Sequence, residues 1–258
     1  MNTIRMDEMT WPDIRQAIAG GRTTVVVAIG SSEQHGPHLP TMTDTRIGDA
    51  LAERVARKLG DALQARTIPL GCSEHHLAFG GTVSLQPDTL KLVLRDTIDS
   101  LARDGFARIV LLPSHGGNFP AVAQAIAEAR PRYPGVAVVG YTDLLGFAGF
   151  LAKASTEFGV SEEAAGAHAG ENETSIMLAL EPGLVAVDRF AAGYLGPTGE
   201  REVKIILEQG MPALTPNGVL GDPAGASAAR GEVYLEKLAD FLVGEIGQAP
   251  ATSQAGRS

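Results

Sequence analysis

The chain has 258 residues, with 21 Lys and Arg against 30 Asp and Glu, a formal net charge of −9. That length suits one α/β domain or two small ones and buries a real core, and the acidic balance leaves no Lys/Arg cluster to release counterions from a nucleic-acid backbone. One cysteine excludes an intrachain disulfide framework or a thiolate-built zinc finger, so any bound metal must draw its ligands from six histidines and the acidic residues.

From the N-terminus, residues 23–29 (TTVVVAI) form a continuous apolar run of strand length, the pattern of a strand covered on both faces. Residues 46–63 are predicted as a helix, with Ile47, Ala50, Leu51, Val55, Leu59 and Leu63 recurring at three- and four-residue spacing. A short strand is expected at 67–70, then a second helix over 87–102, opened by proline and stopped by Asp104-Gly105. A strand at 108–112 (RIVLL), a helix at 119–129 and a strand at 136–141 follow. A helix over 173–180 ends before Pro182, and 232–244 reads as an amphipathic closing helix. The Gly-, Ala- and Pro-rich stretches 142–166 and 194–225 carry no readable motif and are the expected seat of specificity. Strand–helix alternation of this kind implies a largely parallel sheet sandwiched by helices. Residues 1–247 are expected to form a single domain and 248–258 a disordered tail.

No apolar run reaches the roughly 18 to 20 residues of a membrane span, and the longest, around 144–152, is broken by glycine. Residues 1–11 carry charges and no apolar signal core. The expectation is a cytoplasmic protein with neither membrane nor nucleic acid as partner. Aromatic residues make up 5% of the chain, with a single Trp, so no ligand is boxed by tryptophans.

All six histidines fall in four segments at or near predicted strand ends or helix starts, where ligands collect in open α/β sheets. In residues 31–44 (SSEQHGPHLPTMTD), Glu33 and His35 lie two apart, so an extended backbone projects both to one side. Gly36-Pro37 turns the chain and Asp44 arrives at the mouth of the following helix. Such a set suits a divalent metal, although a helix-capping Asp44 and a solvated loop fit the same residues. In 114–118 (SHGGN), His115 tops its strand, and Gly116 and Gly117 let the backbone approach a ligand closely. That turn lacks the lysine and spacing of a phosphate-binding loop. In 168–175 (HAGENETS), His168, Glu171 and Glu173 crowd the start of an apolar helix, where Glu173 alone would merely complement the helix dipole. Cys72, in the remaining segment 72–76 (CSEHH), reads as a buried small hydrophobe.

Taken together these motifs resemble the creatininase (creatinine amidohydrolase) family. SSEQHGPHLP with Asp44, EHHLAFGGT (74–82), HGGN and HAGENETS run in the family's order and spacing, over residues 11–242. The resemblance implies a three-layer α/β/α fold with a mostly parallel sheet, one or two divalent ions per subunit, and hydrolysis of small, often cyclic, amides. It also implies a homo-oligomer, a hexamer in the family. By resemblance Glu33, His35, Asp44 and His115 are metal ligands, with Asp44 bridging two ions. Creatinine-hydrolysing members carry a further glutamate two residues beyond that histidine, where this chain has Gly117, so Glu173 is expected to complete the set. His168 matches the family's proton-shuttling histidine. Pro113-Ser114 departs from the Asn-Gly common in the family, and the only tryptophan is Trp11. Creatinine is therefore not the expected substrate.

The function expected is metal-dependent hydrolysis of a C–N amide bond by activated water, with Zn²⁺ the first candidate and Mn²⁺ or Fe²⁺ the alternatives. His168 would carry the proton, and Gly116 and Gly117 would present N–H groups to the developing oxyanion. His76 and Asn118 would contact a small-molecule substrate. A formamide deformylase, a peptidase and a cyclic-ketone ring hydrolase are alternatives on the same metal site. A deformylase needs only a small pocket beside the metal; a peptidase needs an open groove. A non-catalytic metal- or ligand-binding protein, with a closed coordination shell, is a further alternative. Whether Glu171 or His75 joins the site is left open by the spacing alone.

Overall fold

Among the described residues, 3–248 of a computed structural model, the sheet has four parallel strands: β1 (Thr24–Ile29), β2 (Ala62–Gln64), β3 (Arg108–Pro113) and β4 (Ala137–Gly140). Their spatial order is β2-β1-β3-β4. β1 lies at the centre, with Val25 opposite Leu63 on one side and Ile109 on the other. All six of its residues are buried, which is why its sequence is an unbroken apolar run.

After an N-terminal α1 (Trp11–Ala19), the chain leaves β1 through α2 (Thr43–Leu59) to reach β2. It then reverses through α3 (Pro87–Asp104), passes β1, and adds β3, from which α4 (Phe119–Arg132) leads on to β4. Parallel crossovers are right-handed, so this change of direction puts α2 on one face of the sheet and α3 and α4 on the other. The rest of the chain runs through α5 (Leu144–Thr156), α6 (Glu162–Ala165), α7 (Glu171–Leu180) and α8 (Glu200–Gln209) to α9 (Ala228–Gln248). α9 packs against both α2 and α7, completing that outer layer. The result is a three-layer α/β/α fold, as expected. Connections from β1 and β3 depart in opposite directions, so a crevice opens at the carboxyl ends of these two neighbours.

Several expectations need correction. The helix predicted over 46–63 ends at Leu59, because Gly60 adopts φ +83° and stops it. Leu63, which continued the apolar spacing, instead pairs in β2. The strand predicted at 67–70 is reduced to one bridge, Ile68 to Ile29. α1, α5, α6 and α8 were not anticipated as helices. Gln248 closes α9, and the rest of the predicted tail, 249–258, lies outside the described residues. No helix among the described residues is long and apolar enough to cross a membrane.

Candidate active site

All four histidine segments meet at the crevice between β1 and β3. Gly36, at φ +63°, turns the chain back after β1, and the Glu33 amide donates to the Thr41 carbonyl at 2.9 Å. This hairpin-like return delivers Asp44 to the first turn of α2, where the amide dipoles favour a carboxylate. The Ser31 hydroxyl donates to Asp44 Oδ2 at 2.6 Å. His115 stands just beyond β3, and α7 brings Glu173 in from the opposite side.

The side chains converge. His35 Nε2 lies 3.2 Å from Asp44 Oδ1, and His115 Nδ1 lies 3.2 Å from Asp44 Oδ2 and 3.1 Å from Glu33 Oε1. His76 Nε2 is 3.3 Å and His168 Nδ1 3.9 Å from the same Glu33 oxygen. Glu173 Oε2 is 4.0 Å from His35 Nε2. Glu33, His35 and Asp44 bring ligand atoms within 4.8 Å of one another, as do His35, His168 and Glu173, and Glu33, His76 and His168. Glu33 is fully buried, yet neither carboxylate oxygen has a hydrogen-bond partner. The nearby imidazole nitrogens approach Oε1 without hydrogen-bond alignment. A buried, unpartnered carboxylate is costly, and a ring of nitrogens and oxygens around it fits a divalent cation.

The electrostatics divide the histidines into two groups. Burial opposes charge on His35, but Asp44, then Glu173 and Glu33, outweigh it and push its pKa up to about 9. His115 is likewise buried, and Glu33 and Asp44 hold its pKa well above the ordinary value. Burial works against the Asp44 carboxylate, which His35 and His115 nevertheless keep well below its usual range. Glu173 is raised to about 7, chiefly by burial. In contrast, burial and then the charge of His35 push His168 well below its ordinary value. Burial and then His168 do the same to His76, and burial and then His115 lower His75 to about 3. The first pair are protonated partners of carboxylates; the last three are neutral imidazoles.

Gln34 orients two of the neutral rings. Its backbone carbonyl accepts from His168 Nε2–H at 2.8 Å, leaving the Nδ1 lone pair directed at the cluster. Its side-chain amide lies 2.8 Å from His76 Nδ1 and 3.2 Å from the Gly218 carbonyl, and Oε1 accepts from the Gly36 amide at 2.8 Å. The same nitrogen is 3.1 Å from His168 Nε2, a longer contact than that to the carbonyl. Gln34 was not singled out in the sequence. Its position between Glu33 and His35, on the alternate side of the segment, was the available signal.

Other expectations sort differently. Asn118 is a correction: it does not line the cavity, because its amide accepts from the Cys72 N–H (2.9 Å) and donates to the Ile29 (3.1 Å) and Gly30 (2.9 Å) carbonyls. It ties the end of β1 to the 72–76 segment instead of meeting substrate. Glu171 is also outside the cluster: it takes hydrogen bonds from Ser175 Oγ (2.8 Å) and Tyr234 Oη (2.9 Å) and faces Arg230 at 3.3 Å. His75 does line the cavity, its ring stacked on His115 with centroids 5.7 Å apart. Cys72 is buried and free. His38, buried, bonds Thr174 Oγ1 at 3.0 Å.

Above the cluster is a cavity of about 220 Å³, with Glu33, His76, His115, His168, Gly116 and Gly117 on one side. The opposite wall comes from α5 and α8, which sequence periodicity did not identify, and it is aliphatic. No Phe, Tyr or Trp lines this cavity, and Trp11 is 71% exposed on α1. Leu145 and Thr198 also line an adjoining concavity of about 350 Å³ that extends to α6 and the 194–199 loop. Leu144, Val203 and Leu207 are shared with a third, of about 330 Å³, beside α8. The three concavities therefore lie side by side, divided by these shared side chains.

Residues 7–246 match the family model described as Creatininase, creatinine amidohydrolase. The chain is 38% identical over 227 residues to a mycofactocin precursor peptide peptidase of Mycolicibacterium smegmatis, covering 86% of this chain and 83% of that protein. It is 30% identical over 247 residues to the creatinine amidohydrolase of Pseudomonas putida, covering 91% of this chain and 92% of that one. Its fold matches a solved structure described as "Creatininase Mn" with a TM-score of 0.80 and 27% identity, over 96% of this chain and 100% of that chain.

Proposed function

The chain belongs to the creatininase (creatinine amidohydrolase) family of hydrolases, and from that footing we propose that it cleaves an amide bond in a short peptide, using a divalent metal. The observation that carries the peptide reading is the row of concavities beside the histidines. A small cyclic amide needs only the cavity over the histidines, whereas a chain of several residues also has the neighbouring concavities towards α6 and along α8 to lie in. The peptidase of M. smegmatis supports the same reading. The aliphatic lining, with the chain's single Trp exposed on α1 ahead of the site segments, argues against a tryptophan-boxed creatinine.

In this scheme Glu33, His35, Asp44, His115 and Glu173 hold one or two ions, with Asp44 between His35 and His115 at 3.2 Å from each. The mixed oxygen and nitrogen set suits Zn²⁺ first, with Mn²⁺ or Fe²⁺ as alternatives. When bound, such an ion polarises the amide carbonyl and lowers the pKa of water from about 15.7 towards 7. His168 is the acid–base residue. Its neutral resting state leaves Nδ1 free to accept a proton from the attacking water, while Nε2–H stays on the Gln34 carbonyl. The imidazolium then returns that proton to the leaving nitrogen, and the new carboxylate and amine depart. Gly116 and Gly117, on the cavity side, supply backbone N–H groups to the developing oxyanion. His76 Nε2 faces the same space and contacts the substrate. We take the working form to be a homo-oligomer, hexameric as the family resemblance implies, with a solution mass that is a multiple of 26.9 kDa.

Loading the protein with Zn²⁺ or Mn²⁺ and offering short peptides, formamides and cyclic amides including creatinine tests this reading. Peptides are the expected substrates, with turnover lost on chelation and restored by metal. Creatinine hydrolysed faster than any peptide, or turnover indifferent to chelation, would overturn it.

A further inference from the structure

The cavity opposite the cluster has a composition that selects a substrate. Apart from Glu33 and the histidines, its lining carries no charged side chain, and Thr198 is its only hydroxyl. The apolar lining is Leu144 and Ala148 from α5, Val203 and Ile206 from α8, Met211 just beyond α8, and Leu220, whose backbone pairs with that of His168. Ile206, Met211 and Leu220 form a small apolar core of their own, separate from the one around the sheet. That second core fixes the wall in place. By contrast the adjoining concavities carry charged side chains, Glu162 and Glu163 in one and Glu200, Lys204 and Glu208 in the other. The change from charged to aliphatic lining occurs between neighbouring concavities that share Leu144, Leu145 and Val203 or Ala148 and Thr198.

We propose that this wall is a side-chain subsite, and that the enzyme cleaves peptides next to an aliphatic residue (Val, Leu, Ile or Met) whose side chain fills the space between α5 and α8. The inference rests on the peptide reading above and narrows it. An aliphatic side chain entering this space exchanges water for apolar contacts, whereas an aspartate or lysine would lose its hydration without a partner. Glycine would leave the space unfilled. Ala148 is the smallest side chain on the wall, so its volume limits the depth of the subsite. An apolar pocket of this kind discriminates by about tenfold or more for each methylene it accepts or misses.

The test uses the full-length, metal-loaded protein and unblocked pentapeptides Gly-Gly-X-Gly-Gly, with X = Gly, Ala, Val, Leu, Met, Asp or Lys, and every cleavage mapped by mass spectrometry. The expected result is cleavage at a bond flanking X, with kcat/KM for Val, Leu or Met at least about tenfold above Gly and higher still above Asp and Lys. Ala148→Phe should lower the Leu peptide at least tenfold more than the Ala peptide. Val203→Ala, which adds space without overpacking, should shift preference towards the larger side chains and serves if Ala148→Phe does not fold. Peptides cleaved without regard to X, or Asp and Lys preferred, would overturn the subsite while leaving the peptide reading standing. Turnover of formamides or cyclic amides with no peptide cleaved would overturn both.

Discussion

Gly117 lies so close to its surroundings that the site depends on its having no side chain. A Cβ there would collide with the Cys72 carbonyl and come within 2.6 Å of His115 Nε2. The backbone therefore cannot carry an acidic ligand at this position without moving, which accords with Glu173 entering from α7. Gly117→Ala should displace His115, lower bound metal and cost about 1–3 kcal/mol; thermal unfolding and elemental analysis read both, and an unchanged variant would contradict the packing. A second expectation concerns protons. Asp44, Glu173 and Glu33 overcome burial to raise His35 to about 9, and His115 is also raised, so in the metal-free protein both rings are charged near neutrality. A divalent ion must displace those protons. Apparent affinity should therefore climb from pH 6 to pH 9, with proton release on metal addition in weakly buffered solution, and a pH-independent affinity would count against the ligand set. At this scale the ligand roles of His115 and Glu173 came from the family resemblance. Glu33, His35 and Asp44 were legible as a candidate metal set, because a two-residue spacing after a strand and a carboxylate at a helix start have direct geometric meaning. The roles of Gln34 and Asn118 were not, since their partners, such as Gly218 and Cys72, lie far away in the chain.

α7 shows how an element holds the site. Its first turn carries Glu173 towards the cluster and Glu171 away from it, into the interface with α9. There Arg230 faces the fully buried Glu171 carboxylate at 3.3 Å, beside hydrogen bonds from Ser175 and Tyr234. Arg230→Ala leaves that carboxylate with neutral donors alone and should cost about 1–3 kcal/mol. Denaturant unfolding measures the loss, and metal affinity should weaken with it because the helix bearing Glu173 is less firmly anchored. Arg230→Lys should restore part of both; equal stability of wild type and Arg230→Ala would contradict the anchoring. Elements with a strong period were readable in the sequence, as β1, β3 and α3 demonstrate. α5 was not, because Gly146 and Gly149 interrupt it and its residues are apolar on all sides, leaving no face to recognise. α8 had a signal in Val203, Ile206 and Leu207 at three- and four-residue spacing, but it is short and bounded by Gly199 and Gly210. Leu63 misled in the other direction, extending a helical period that Gly60 had already ended.

For the whole molecule, strand order explains why the chemistry sits where it does. The reversal between β1 and β3 opens a crevice at their carboxyl ends, and the segments leaving those strands supply Glu33, His35 and His115. Alternating strands and helices made that arrangement foreseeable. The concavities beside the site were not, because α5, α6, α8 and the 194–199 loop form them only by packing together. The central claim is that this crevice is a metal-assisted hydrolytic centre in which His168 moves the proton. Steady-state peptide turnover of His168→Ala, measured against wild type at matched metal content, tests it most directly. The expected result is metal retained and kcat reduced by about 10²- to 10⁴-fold, the usual contribution of a general acid–base group. Turnover equal to wild type at equal metal content would contradict it.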